Sequence, residues 1–89
     1  MRDALLLRGK RLAVLTYGNG CPDRPESISG SGRQVTVTYR IGISANGACT
    51  DEHVSYTAVL RLPSDVSGDL PLSVTVRLPG AVPYTVAAH

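Results

Sequence analysis

Residues 35–43 read VTVTYRIGI, and their alternation decides the fold. Val35, Val37, Tyr39, Ile41 and Ile43 fall on one side of an extended chain, Thr36, Thr38 and Arg40 on the other. A period of two is that of a half-buried β-strand, and β-branched side chains suit a pleated surface. The same pattern returns twice downstream. VSYTAVLRL (54–62) sets Val54, Tyr56, Ala58, Leu60 and Leu62 against Ser55, Thr57 and Arg61; LSVTVRL (72–78) sets Leu72, Val74, Val76 and Leu78 against Ser73, Thr75 and Arg77.

Upstream, the apolar runs 5–7 and 12–17 flank RGKR, where Gly9 can supply the positive φ of a tight hairpin. A short strand over 84–88 follows PGAVP, and residues 27–29 add one more before the turn SGSGR. Between strands, LPSDVSGDLP has helix-start residues Ser64 and Asp65, but Gly68 and Pro71 limit any helix to about one turn. The expectation is therefore an all-β chain of five to seven mostly antiparallel strands, a small two-layer, immunoglobulin-like β-sandwich with each sheet wet on its outer face; the alternative is a small β-barrel.

The 89 residues make one domain, 1–89. Its core must be aliphatic, because Trp and Phe are absent and only Tyr17, Tyr39, Tyr56 and Tyr84 are aromatic. These tyrosines sit in strand register or at a strand end, which suits packing better than a ligand platform. Nine basic and seven acidic residues leave a charge of +2. The arginines are scattered rather than gathered in a stripe with stacking aromatics, which excludes nucleic acid as a partner. No apolar run approaches the roughly 20 residues of a membrane span. The leucines near the N-terminus resemble a signal peptide, but Gly9, Lys10 and Arg11 interrupt them. Exposed strand edges allow a monomer or a weak homo-oligomer.

The chemistry turns on Cys21, in YGNGCP, and Cys49, in SANGACTDEH after the turn dipeptide Asn46-Gly47. A disulfide between them closes a loop of about 29 residues and is worth about 3.6 kcal/mol in the chain-entropy model. It requires an oxidising compartment. A zinc site would draw on Cys21, Cys49, Asp51, Glu52 and His53, but no pair of cysteines or histidines has ligand spacing. A nucleophilic Cys49, or a serine, would need His53 as base with Asp51 behind it, and nothing marks an oxyanion hole. A redox pair would usually read Cys-x-x-Cys. Adjacent Asp51 and Glu52 would point to opposite faces of a strand and make a poor acid–base pair. The glycines of GNG lack the spacing of a phosphate loop. No cofactor and no metal is expected, and the chain reads as a non-enzyme.

The pattern LAVLTYGNGCPDRPESI … VTVTY … GACTDEHVSYTAVLRLP resembles a small domain of actinobacterial exported proteins and lipoproteins. That family carries a Trp-Gly-Ser-Ser-Ser-Cys-Pro segment, then a strand, then Ala-Cys-Thr-Ala-Asp and a strand ending Leu-Pro. The match covers residues 12–78 and is sharpest at Gly18, Cys21, Pro22, Pro25, Cys49, Thr50, Leu62 and Pro63. Tyr17 stands where the family often has Trp, and GNGC replaces GSSSC. The resemblance implies a Cys21–Cys49 bond and an extracellular or cell-envelope location, and it implies no activity. The expected role is a binding, accessory or structural module with an unknown protein or envelope partner. The alternative is a secreted protease inhibitor that presents a rigid, disulfide-anchored loop, residues 21–26.

Overall fold

A computed structural model describes residues 3–18, 21, 23–42 and 54–89. Alternation becomes architecture directly: β1 (Asp3–Leu7), β2 (Arg11–Gly18), β3 (Arg24–Ser31), β4 (Gln34–Arg40), β5 (Val54–Arg61), β6 (Ser73–Arg77) and β7 (Tyr84–Ala87). They form a three-stranded sheet in the order β1-β2-β5 and a four-stranded sheet in the order β3-β4-β6-β7. No helix occurs among the described residues. The two open sheets make a β-sandwich, not a closed barrel. All pairings are antiparallel except β4 with β6. That exception follows from the route of the chain. It leaves β4, supplies β5 to the other sheet and returns as β6, because parallel neighbours require such a long crossover.

The core is the aliphatic layer that the period of two puts inward. Leu12 and Val14 from one sheet meet Val35, Val37, Val74 and Val76 from the other, all essentially solvent-free. Tyr39 and Leu72 join them, and Leu6, Ile28, Leu60 and Val86 pack around the margin. On the outer face of the four-stranded sheet the alternate residues are hydroxylic. Ser29, Thr36, Thr75 and Thr85 stand opposite one another across all four strands, and the Thr75 and Thr85 hydroxyls lie 3.0 Å apart.

Two expectations need correction. Ile41 does not continue the buried row of β4 but is 66% exposed. β4 ends at Arg40, and the Gly42 N–H instead donates to Asp23 Oδ1 at 3.3 Å, which draws the chain out of the sheet. Ile43 lies outside the described residues. The second correction concerns the outer face of the three-stranded sheet, which is not polar throughout but carries an aliphatic patch. Leu5 is 48% exposed and Val59 55%, with Leu7, Ala13 and Leu15 partly exposed beside them. β1 and β2 carry aliphatic residues at both parities, so one set fills the core and the other faces outward.

Turns follow the glycines. β1 and β2 are joined by Arg8, Gly9 and Lys10, with φ of +75° at Gly9 and +56° at Lys10. Lys10 holds this left-handed conformation because its carbonyl accepts from Leu62 N–H (2.8 Å), and its aliphatic chain lies over Gly68. β3 and β4 are joined by Gly32 and Arg33, with φ +59° at Gly32, where a type II′ turn needs a positive angle. The segment 63–71 is not helical. Val66 N–H donates to Pro63 O (3.0 Å) and the Val66 side chain plugs the core at 1% exposure. Arg33 Nη1 holds the far end of that segment through Leu70 O at 2.7 Å.

Among the described residues, Tyr39 is the one place where the core carries a polar debt. It is 4% exposed, and its hydroxyl finds no hydrogen-bond partner among the described residues. Burial, with a smaller contribution from Tyr84, pushes its pKa from 10 up to about 12. Because the folded pKa is the higher one, the folded state keeps its proton longer than the unfolded state. The associated stability is complete below pH 10 and is lost as pH rises to about 12, an effect of about 2–3 kcal/mol. Tyr39→Phe is expected to leave stability at pH 7 unchanged or raised by about 1 kcal/mol, since it removes an unpaired buried hydroxyl. It should also flatten the alkaline loss, which urea titrations of both proteins between pH 8 and 12 would measure.

Candidate functional site

Cys21 lies three residues beyond the end of β2 and is buried at 9% exposure. Cys49, and with it Thr50, Asp51, Glu52 and His53, lies outside the described residues, as do Asn46, Gly47 and Pro22. The zinc and nucleophile constellations drawn from those residues are thus not placed. Among the described residues no three His, Cys, Asp or Glu side chains gather where a metal ion could be held. Half of the segment expected to present a loop is strand: Arg24, Pro25 and Glu26 belong to β3, and the register slips between Pro25 and Ser27.

The surface feature that does emerge is the outer face of β1-β2-β5. Register places Leu5, Ala13 and Val59 in one row across the three strands, and Asp3, Leu15 and Thr57 in the next. A shallow depression of about 190 Å³ opens there, lined by Asp3, Ala4, Leu5, Ala13, Leu15 and Thr57. Its walls are mostly aliphatic, and Tyr17 stands further along β2, 44% exposed.

Charge frames this patch unevenly. At one end Arg11 and Arg61 lie opposite each other in register, and Arg11 Nε donates to Arg8 O at 3.1 Å. Among the described residues neither guanidinium meets a carboxylate. Like charges directly across a strand pair are unfavourable, so an incoming carboxylate would relieve both. At the other end Asp3 Oδ1 pairs with His89 Nε2 at 2.8 Å. Both partners are exposed, so the pair is worth about 0–1 kcal/mol.

His89 itself was invisible to pattern reading. Its N–H donates to Ala4 O (3.0 Å) and its carbonyl accepts from Leu6 N–H (2.8 Å), so the C-terminus laps the outer edge of β1. Only the apolar run 84–88 hinted that the chain end is ordered. The apolar face could have been found by counting aliphatic residues at both parities of 5–7 and 12–15. No helix of the described residues is long and apolar enough to cross a membrane. The chain matches no family model, no curated protein and no solved structure.

Proposed function

We propose that this domain is a non-catalytic binding module of an exported or cell-envelope protein, braced by a Cys21–Cys49 disulfide and docking a protein partner on the outer face of β1-β2-β5. The carrying observation is the aliphatic patch of Leu5, Ala13, Leu15 and Val59, set in a sheet whose partner sheet shows a hydroxylic outer face. A single-sided apolar patch of this kind marks an interaction surface rather than ordinary solvent exposure. Carboxylates at the partner's rim would meet Arg11 and Arg61. The disulfide is supported by the burial of Cys21 and by the absence of any free cysteine among the described residues. The resemblance to actinobacterial exported domains supports the compartment.

Photo-crosslinking amino acids at position 15 and at position 36, on the opposite outer face, test the reading in the native host. Adducts to one protein from position 15 alone are expected. No adduct from position 15, or equal labelling from both, would sink it. Separately, intact mass without reductant should fall short of the reduced chain by two hydrogens; a mass unchanged by reductant would remove the brace.

A further inference from the structure

We propose that β5 is a self-pairing edge: two copies of this chain join β5 to β5 about a two-fold axis, merging their three-stranded sheets into one six-stranded sheet.

An open sandwich has four outer edges, and among the described residues three of them are blunted. The edge of β1 is occupied by the main chain of His89. β3 carries Pro25, which has no N–H, a register slip beside it and Gly30. β7 is four residues long and follows Pro83. β5 has eight residues, no proline, no glycine and no bulge, and its one charged residue is Arg61 at the end. Natural edges are ordinarily protected by such devices, and a long regular edge without them is a template for another strand.

The hydrogen-bond phase of this edge is fixed. Leu62 N–H donates to Lys10 O, in line with the β2–β5 register, so Leu62 and every second residue before it turn their backbone groups toward β2. Ser55, Thr57, Val59 and Arg61 therefore turn theirs outward, and β5 pairs with no other strand among the described residues. One antiparallel register uses all of these groups at once: Ser55 opposite Arg61 of the second copy, and Thr57 opposite Val59, giving about eight inter-chain hydrogen bonds. Shifting it one way brings in Pro63, which cannot donate. In the favoured register the two-fold passes beside Ala58, the smallest side chain of the strand, and the two Arg61 guanidiniums lie at opposite ends.

A second observation points the same way. Tyr56, Ala58 and Leu60 face inward yet are only half-buried, whereas Leu12, Val14 and Thr16, their register partners on β2, are buried. The added strand places Tyr56 against Leu60 of the other copy and Ala58 against Ala58, completing their burial. An interface of this size is at the small end, with a dissociation constant of about 10–100 µM.

The test is sedimentation equilibrium of the full chain from about 5 µM to 1 mM, with amide exchange followed over the same range. The mass should rise from one chain to two, and the Thr57 and Val59 amides should exchange more slowly at high concentration while those of β3 do not change. Thr57→Pro deletes an outward N–H and should abolish the dimer. Leu15→Lys, which alters the apolar face but not the edge, should keep it. A single-chain mass throughout overturns the proposal. So does a dimer lost in Leu15→Lys and kept in Thr57→Pro, which would be face-to-face; that result leaves the docking face of the preceding section intact. If Thr57→Pro does not fold, unchanged Thr57 and Val59 exchange in the wild type overturns the proposal equally.

Discussion

Val37→Asp is expected to abolish the cooperative unfolding transition altogether, while Thr36→Asp, one residue away, leaves a folded domain. Val37 has no solvent exposure and lies mid-way along β4, an interior strand, opposite Ile28 on one side and Val76 on the other. Removing a buried valine forfeits about 1.5–3 kcal/mol of apolar burial. The carboxylate adds several kcal/mol more, because among the described residues no cation is buried in that layer to pair with it. A chain of this length has a total stability of about 4–13 kcal/mol, so the sum meets or exceeds it. At position 36 the side chain points to the hydroxylic outer face, and the cost is that of a poor strand former, about 1 kcal/mol. Circular dichroism melts and amide dispersion in proton NMR separate the two outcomes. Equal behaviour of the two variants would mean that the inward row of β4 has been assigned to the wrong face.

That contrast also shows which parts of the fold were legible. β4, β5 and β6 alternate aliphatic with hydroxylic residues, so each strand announces both its existence and its buried side. The β1–β2 hairpin was legible from Gly9, because a positive φ between two apolar runs has few other uses. What failed to announce itself lacks a period. Val66 is a single apolar residue among turn formers, and only its tertiary position, plugging the core beneath the bridge from Gly32, explains it. Ile41 continues the period on paper, but the Asp23 carboxylate takes the next N–H and the strand stops. The pairing of β4 with β6 depends on which strands the chain skips, and alternation carries no information about that.

The candidate site divides in the same way. Cys21 was visible as chemistry, and the structure buries it three residues beyond β2. The apolar face was not visible, because an aliphatic residue at an outward position looks like a core residue until the register is known. Leu5, Ala13 and Val59 come from three separate segments and become one row only through two sets of strand pairings. The face and the edge of β5 share Thr57, Val59 and Arg61 but differ in physics. The face is a matter of side-chain area, the edge of backbone groups, which is why Leu15→Lys and Thr57→Pro separate them.

Gly30→Ala should cost about 3–5 kcal/mol, far more than the loss of flexibility that a glycine substitution ordinarily carries. Gly30 lies in β3 opposite Val35 with φ +151°, a region that side chains rarely enter. A Cβ there would collide with the Gln34 carbonyl oxygen and lie 2.8 Å from Val35 Cα. Both obstacles are backbone atoms of β4, an interior strand packed on the core, so neither can swing aside as a side-chain tip would. β3 must move instead. That strains the Gly30–Val35 pairing and the adjoining turn, whose Gly32 donates to Asp65 O (2.9 Å) and accepts from Ser67 N–H (2.6 Å). Backbone strain of about 1–3 kcal/mol and overpacking of about 1–3 kcal/mol therefore fall on one substitution. Gly32→Ala provides the comparison, since Gly32 also has a positive φ but open space around its absent Cβ. There only the left-handed conformation is penalised, by about 1–2 kcal/mol. Urea unfolding of the two variants should therefore give a clearly lower midpoint for Gly30→Ala than for Gly32→Ala; equal midpoints would show that β3 can shift away from β4 without loss, and that the close approach at Gly30 does not hold this edge in register.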